Sequence, residues 1–209
     1  MPPLDGGFYK AKKMSKKFKH IMIDLETLGT RADAVIMSIG AVKFDLETGE
    51  IDENAFYASI SIDSNHDVKP RHISESTMIW WLQQSPEAQR VFSEAKTTLL
   101  ASLEDLQDWF DHPDYIVWSN GADFDIPMAA HAYSTHGLTA PWKFWNTRCF
   151  RTIKNLPGAP AGAKQGVAHN ALDNAISQTK HLQKIWEALF TPIVVSTSIP
   201  TTRRKGAKA

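Results

Sequence analysis

Two acidic residues lie two positions apart inside an apolar segment near the start of the chain. Asp24 and Glu26 occur in HIMIDLETLGT, whose other residues favour a buried β-strand. Because side chains i and i+2 of a strand share one face, both carboxylates are expected to point to the same place. Two carboxylates taken out of water need a compensating charge, which a divalent cation such as Mg²⁺ supplies. Alternatively, the strand ends near Asp24 and leaves both acids solvated at its rim.

Asp125 and His169 are two further candidates for acid–base or metal chemistry. Asp125 lies in SNGADFDIPMAAH, where a hydrophobic strand gives way to a helix, and ligands of open α/β sheets bind at strand ends. Alternatively, this acid only favours the helix N-terminus through the macrodipole. His169 opens the last helical segment, and its ordinary pKa of about 6.5 makes it a candidate general base. Taken alone, it is also compatible with a capping or surface residue.

The composition is that of a globular protein with one domain. The chain has 209 residues, of which 43% are hydrophobic and 22% charged. Its single cysteine, Cys149, cannot form an internal disulfide, which favours a reducing compartment. No apolar stretch approaches the roughly 20 residues of a membrane span, and the N-terminus lacks the apolar segment of a signal peptide. We therefore expect a cytoplasmic protein with no membrane partner.

The charge is unevenly distributed, although the formal net charge is zero. Residues 1–19 contain six Lys and one Asp, and residues 201–209 contain two Arg and two Lys, which leaves 13 basic against 22 acidic residues between them. Basic ends can contact phosphates without sequence preference, although Lys-rich termini are more often solvated. We predict a flexible basic extension over residues 1–19, a folded domain over residues 20–190 and a C-terminal tail over residues 191–209.

Strands alternate with helices along the predicted domain. Three successive strands are predicted from HIMIDLE, AVIMSIGAVKFD and AFYASISI, and their pattern favours an antiparallel meander. Helices are predicted from SESTMIWWLQQS, PEAQRVFSEA, TTLLASLEDLQDWFDHP, FDIPMAAHAYSTHG and HNALDNAISQTKHLQKIWEALF, and two more strands from YIVWSN and WKFWNTR. This order predicts an α/β fold with a mixed five-stranded sheet flanked by helices.

The acidic motifs together resemble those of the DEDDh 3′–5′ exonucleases, the superfamily of proofreading exonuclease subunits, RNase T and oligoribonuclease, which has an RNase H-like fold. The first motif is matched by DLET from Asp24, the second by NGADFD from Asn120 to Asp125, and the third by HNAL from His169. IDLETLGT, IMSIGAVKFD, the WW pair and RCFRT resemble, more narrowly, a bacterial and phage-borne branch similar to exonuclease VIII and RNase T. The resemblance spans roughly residues 18 to 190.

The resemblance implies a cation-dependent 3′–5′ exonuclease. It places two divalent cations, Mg²⁺ or Mn²⁺, on Asp24, Glu26, Asp125 and the residue at position 174, with His169 taking a proton from the attacking water. Nucleoside 5′-monophosphates would leave the free 3′ end of a nucleic acid, DNA or RNA, which we expect to be single-stranded. The resemblance also implies a bacterial or phage-infected cell, and a homodimer is compatible with it because relatives include dimers.

One position departs from the motif. The family has its last metal-binding Asp five residues after the His, where this chain has Asn174, and Asp173 lies one residue earlier, about 100° away around a helix. We therefore expect Asn174, rather than Asp173, to occupy the ligand position. An amide keeps the shape of a carboxylate but removes its charge, so weaker cation binding and reduced turnover are expected. Natural drift and deliberate inactivation would both give this sequence.

Substrate contacts are expected at Thr27, Leu28, Trp81, Asn120, Phe124 and Arg148. The resemblance implies that the backbone after the Glu holds the terminal sugar. Aromatic rings stack on bases without sequence preference, and either Trp80 or Trp81 is a candidate because adjacent helical residues face different directions. Arg148 and Arg151 would reach backbone phosphates or form structural ion pairs.

Two other functions are compatible with the same residues. A degenerate nuclease fold that only binds nucleic-acid ends or a protein partner is favoured by Asn174, but the other four motif positions argue against it. A Mg²⁺-dependent phosphatase or nucleotide hydrolase would use similar carboxylates without needing the ordered motifs. Release of mononucleotides from 3′-labelled oligomers would distinguish an exonuclease from both.

Overall fold

The central sheet has five strands in the part of the chain that this computed structural model describes, residues 18–163 and 166–190. The strands are β1 (His20–Thr27), β2 (Ile36–Phe44), β3 (Phe56–Ser59), β4 (Ile116–Ser119) and β5 (Thr147–Cys149). Their order in the sheet is β3-β2-β1-β4-β5, with β1 antiparallel to β2 and parallel to β4. The predicted mixed five-stranded sheet is confirmed. The tails predicted for residues 1–19 and 191–209 lie, apart from Phe18 and Lys19, outside the described residues.

Helices surround this sheet. They are α1 (Glu75–Leu82), α2 (Leu99–Phe110), α3 (Asp125–Thr135), α4 (Phe150–Lys154) and α5 (Ala171–Phe190). The segment PEAQRVFSEA, predicted as a helix, forms only the 3₁₀ turn Ala88–Phe92. The middle of WKFWNTR, predicted as a strand, forms the 3₁₀ turn Phe144–Asn146. None of the helices in the described ranges is long and apolar enough to span a membrane.

Strand β1 is buried on both faces, and this decides where its acids point. Ile21 and Ile23 pack in a core cluster with α2 and α3, whereas Met22 packs on the opposite face with residues of α5. Side chains alternate along a strand, so Asp24 and Glu26 share the face of Met22. Both acids therefore point toward the layer that contains α5.

Helix α5 can approach that face closely because the contact is made of small residues. Ala171 and Ala175 are fully buried on its inner side. Below them lies Gly40, which pairs with Asp24 in the β1–β2 ladder. A β-carbon on Gly40 would lie 2.3 Å from the carbonyl carbon of Ala171. The lack of a side chain at Gly40 thus brings the start of α5 directly over the acidic part of β1.

The start of α5 is fixed by a side-chain cap. The Oδ1 atom of Asn170 accepts hydrogen bonds from the backbone N–H groups of Leu172 at 3.1 Å and Asp173 at 3.0 Å. These bonds satisfy donors that a helix N-terminus otherwise leaves unpaired. The cap sets the rotation of the first turn, and Asn174 faces β1 as a result.

Candidate active site

Asn174 joins the two acids of β1. Its Nδ2 atom donates hydrogen bonds to Oδ2 of Asp24 at 3.1 Å and to Oε1 of Glu26 at 2.9 Å. Both acids are only 7% exposed. One oxygen of each carboxylate therefore converges on the same point, which the amide nitrogen of Asn174 occupies.

A second amide on α5 holds the other oxygen of Asp24. Gln178, one helical turn after Asn174, donates from Nε2 to Oδ1 of Asp24 at 2.6 Å. Sequence reasoning missed this residue, although its spacing of four from Asn174 would have placed it on the same helix face. Both oxygens of Asp24 thus accept from amides of α5.

Asp125 completes a cluster of three carboxylates with Asp24 and Glu26, called here the carboxylate cluster. It is the first residue of α3, is 3% exposed, and accepts at Oδ1 a hydrogen bond of 3.1 Å from the backbone N–H of Leu25. Leu25 lies between the two acids of β1, so this bond ties the start of α3 to the acidic part of the strand.

Burial and mutual repulsion make the carboxylate cluster hard to ionise. Burial, and then the charge of Asp125, raises the pKa of Glu26 to about 8. Burial also raises the pKa of Asp125 to about 6, although hydrogen bonds from backbone N–H groups oppose the shift. For Asp24, burial and the charges of Asp125 and Glu26 raise the pKa well above its usual range. Protons or a cation are needed to neutralise this cluster near neutral pH.

The donor chemistry of the cluster fits a hard divalent cation, although one anionic ligand is missing. Within residues 18–163 and 166–190, no group of three or more His, Cys, Asp or Glu side chains is arranged to hold a metal ion. The oxygens of Asp24 and Glu26 nevertheless already converge on one point, at which Asn174 contributes a neutral amide. Oxygen ligands of this kind suit Mg²⁺ and Mn²⁺.

Asp173 does not join the cluster. Its Oδ2 atom accepts a hydrogen bond of 2.7 Å from the backbone N–H of Val167, and a β-carbon on Gly166 would touch its carboxylate. Asp173 therefore faces the loop before α5, whereas Asn174 faces the acids.

His169 lies just before the α5 cap, in an uncommon backbone conformation. Its φ angle is 63°, in the left-handed region that disfavours most side chains. Its ring meets the ring of Trp80 edge-on, with centroids 4.8 Å apart. Together with Asp24, Asn120 and Asn174 it lines a pocket of about 400 Å³, called here the α5 pocket. The structure thus brings His169 to the same opening as the first acid.

A second opening, called here the α1 pocket, lies beside Glu26. It has a volume of about 290 Å³ and is lined by Leu25, Glu26, Thr27, Gly29, Thr30, Ser76, Thr77, Trp80, Trp81 and Phe124. Thr27 and Phe124, both predicted substrate contacts, are among these residues. The α1 pocket thus contacts the carboxylate cluster at Glu26, and the α5 pocket contacts it at Asp24.

Two of the predicted substrate contacts, Trp81 and Leu28, need correction. Trp81 is 1% exposed and donates from Nε1 to the carbonyl of Thr27 at 2.9 Å, so the ring available for stacking is that of Trp80, which is 39% exposed. Leu28 is buried in the core, and its backbone N–H donates to the carbonyl of Val35 at 2.9 Å. Its side chain and its N–H group are therefore used by the fold.

The predicted contact at Arg148 also needs correction. Arg148 donates to the carbonyls of Trp145 and Thr147 and lines a different pocket, of about 380 Å³, to which none of the three acids contributes. Arg151 lies nearer the cluster, because it donates to the carbonyl of Asn120 at 2.7 Å and its charge opposes the rise in the pKa of Asp125. The edge position of β5 in the sheet carries Arg148 away from the acids.

Comparisons with known proteins identify the family of this chain. The 3′-5′ exoribonuclease Rv2179c-like domain family matches residues 19–186. The chain belongs to this family. It is also 25% identical, over 155 residues, to the exodeoxyribonuclease of Enterobacteria phage T4, a match that covers 63% of this chain and 68% of the phage protein.

Solved exonuclease structures share the fold of this family member. Exonuclease I of E. coli in complex with a dA16 oligonucleotide superposes with a TM-score of 0.59 at 12% identity, over 81% of this chain and 41% of exonuclease I. The nuclease domain of 3′hExo, a DEDDh family member bound to rAMP, has a TM-score of 0.55 at 14% identity, over 83% of this chain and 94% of that domain. The RNase H-like fold and the DEDDh 3′–5′ exonuclease superfamily, both predicted from the sequence, are confirmed. The narrower branch stays a prediction.

Proposed function

We propose that this protein is a cation-dependent 3′–5′ exonuclease of single-stranded nucleic acid whose turnover is reduced by Asn174. The observation that carries the proposal is the convergence of Asp24 and Glu26 on the amide nitrogen of Asn174. An Asp at position 174 would add a third oxygen anion at that point, where the present amide adds none. The family membership and the position of Asp125 support the same reading.

Asp24, Glu26 and Asp125 would hold the two divalent cations, and Asn174 would add a weak fourth ligand only if its amide turned to present the carbonyl oxygen in place of the nitrogen. Bound Mg²⁺ or Mn²⁺ supplies an activated water and charge stabilisation for the leaving oxygen. His169, on the wall of the α5 pocket, would accept the proton of the attacking water. The nucleoside 5′-monophosphate would then leave the 3′ end.

The terminal nucleotide of the substrate would lie in the α1 pocket. The exposed ring of Trp80 and the ring of Phe124 would stack on bases, and the backbone around Thr27 would face the sugar. Stacking tolerates any base, as an enzyme that trims ends requires. Structural neighbours solved with dA16 and dT13 oligonucleotides support a single-stranded partner. A homodimer and a cytoplasmic location stay predictions, and both DNA and RNA stay open as substrates.

The Asn174→Asp variant tests the proposal. We expect at least a tenfold gain in release of mononucleotides from 3′-labelled single strands with Mg²⁺ or Mn²⁺, because even groups that only orient metal ligands contribute about 10–100-fold. The matched control is Asp173→Asn, which changes the neighbouring acid outside the cluster and should give no gain. Chelator should abolish the activity of Asn174→Asp, and 5′-labelled strands should give a ladder of shortened products.

A second candidate, a binding module that does not hydrolyse nucleic acid, is favoured by the same amide contact. The hydrogen bonds of Asn174 partly satisfy the cluster without a cation, as a non-catalytic protein would require. If Asn174→Asp binds labelled oligonucleotides as tightly as the native sequence but releases no mononucleotide in either metal, the binding module is the correct reading.

A further inference from the structure

Gln178 makes a contact with the carboxylate cluster that no motif accounts for. Its Nε2 atom donates to Oδ1 of Asp24 at 2.6 Å, the shortest of the three amide contacts between α5 and the acids. Its other amide atom, Oε1, is buried without a hydrogen-bond partner among the described residues. The only hydrogen bond of this side chain among the described residues is therefore the one from Nε2 to Asp24.

An unpartnered buried carbonyl oxygen lowers the stability of a protein by about 1–3 kcal/mol. Two other positions on the inner side of α5, Ala171 and Ala175, are filled by apolar residues, so the helix packs on the sheet without needing an amide. A side chain that contributes an unsatisfied acceptor is poorly explained by packing alone. Its contact with Asp24, at the α5 pocket that Gln178 also lines, explains its place in the fold better than packing does.

Asp24 is the acid whose orientation matters most, because both of its oxygens are used. Oδ2 faces Asn174 and the point shared with Glu26, whereas Oδ1 faces Gln178. An aspartate carboxylate rotates broadly about its last torsion unless its oxygens are held. The bond from Gln178 limits that rotation and keeps Oδ2 directed at the shared point.

We propose that Gln178 is a positioning residue, which holds Asp24 in the orientation that a divalent cation requires at the carboxylate cluster. The inference rests on the proposed function, since it assigns Gln178 to the cation site proposed there. Gln178 lines the α5 pocket beside Asp24 and not the α1 pocket proposed for the terminal nucleotide, so we expect it to act on the acid rather than on the nucleotide. Loss of the bond should therefore weaken cation binding and lower kcat, with little change in KM for the oligonucleotide.

The test compares two glutamines of α5 in the full-length Asn174→Asp protein. Gln178→Met removes the donor and the unsatisfied acceptor and keeps a side chain of similar length. The control, Gln183→Met, removes hydrogen bonds from Nε2 to the carbonyls of Asp45 and Glu50, away from the acids. Mn²⁺ affinity is measured by titration calorimetry, and Tm is measured in chelator.

We expect Gln178→Met to weaken Mn²⁺ binding about 10–100-fold, as for other groups that orient metal ligands. Tm in chelator should stay nearly equal, because removal of the unsatisfied acceptor offsets the loss of the donor to Asp24. Gln183→Met should lower Tm and leave Mn²⁺ affinity unchanged. If Gln178→Met leaves the Mn²⁺ affinity of Asn174→Asp unchanged, the positioning role is wrong and the proposed function is unaffected. The same holds if Mn²⁺ affinity falls only because the variant is partly unfolded, as a large fall in Tm would show. If Asn174→Asp itself binds no Mn²⁺, the proposed function fails and the role of Gln178 fails with it.

Discussion

Gly40 of β2 lies against the backbone of Ala171 at the start of α5, so closely that a β-carbon on Gly40 would be 2.3 Å from the Ala171 carbonyl carbon. Because Gly40 also pairs with Asp24 across the β1–β2 ladder, this contact sets the distance between α5 and the acids. The amides of Asn174 and Gln178 reach Asp24 only because the helix lies this low on the sheet. A backbone contact thus determines the geometry of the side chains.

Replacement of Gly40 by alanine should therefore damage both the fold and the site. The added methyl group would clash with backbone atoms of α5, which can give way only if the helix itself shifts. Overpacking of this kind lowers stability by about 1–3 kcal/mol. We expect Gly40→Ala to lower the urea midpoint and, in the Asn174→Asp background, to weaken Mn²⁺ binding. The control is Gly137→Ala, where φ is 71° and no other heavy atom lies within 4 Å, so that only conformational strain is added. Equal Mn²⁺ affinity for Gly40→Ala and its parent would contradict this account.

Sequence patterns predicted the elements that carry long apolar periodicities. Strands β1 and β2 and helices α2, α3 and α5 occur where predicted, because an element buried on one or both faces has a regular pattern of apolar residues. Helix α4 and the turn at Phe144–Asn146 were not predicted, since segments of three to five residues are too short to show a period. The acids of β1 could be placed on one face because the strand period is two.

Contacts between distant elements were harder to predict than the elements themselves. Whether Trp80 or Trp81 is exposed depends on the rotation of α1 against the core, which two adjacent tryptophans do not reveal. Arg148 could not be separated from Arg151 without knowing that β5 lies at the sheet edge. Gln178 was missed because no charge marks it, although the four-residue spacing from Asn174 was visible.

The raised pKa of Glu26 predicts a pH-dependent stability in the absence of divalent cations. The pKa of Glu26 is about 8 in the folded chain, against about 4.3 for an unfolded glutamate. The folded state binds this proton more tightly than the unfolded state does. The contribution of protonated Glu26 to the free energy of unfolding is therefore fully present below pH 4 and is lost as pH rises through 8. We expect Glu26→Gln to exceed the native sequence in stability by roughly 1–3 kcal/mol at pH 8.5, with a much smaller difference at pH 5.

Urea unfolding in chelator at the two pH values measures this difference. Glu187→Gln, an exposed change on α5, serves as the matched control and should show no such dependence. A stability gain of Glu26→Gln that is equal at pH 5 and pH 8.5 would show that the carboxyl is not responsible.

The two tryptophans of α1 should separate binding from stability. Trp80→Ala removes the exposed ring beside the α1 pocket and should weaken binding of a fluorescent single-stranded oligonucleotide by about 1–3 kcal/mol, the range for one stacked base. Trp81→Ala removes a buried ring and its bond to the carbonyl of Thr27, so it should lower the free energy of unfolding by about 3–5 kcal/mol. Fluorescence anisotropy of the oligonucleotide measures binding, and urea unfolding measures stability, in each case for the variants and for the native sequence. A large stability loss for Trp80→Ala without a binding change would contradict the assignment.

The left-handed backbone at His169 allows a catalytic role to be separated from a structural one. A histidine at φ 63° is less favourable there than glycine, and strain of about 1–3 kcal/mol is kept mainly where function requires it. In the Asn174→Asp background, His169→Gly should leave Tm nearly unchanged and Mn²⁺ affinity intact. Hydrolysis should fall by about 10²–10⁴-fold, the usual contribution of a general base. His136→Asn, at the C-terminal end of α3, is the control. His169→Gly removes the proton acceptor and relieves the backbone strain. If this variant keeps the hydrolysis rate of its parent, His169 serves to pack against Trp80 and does not transfer a proton.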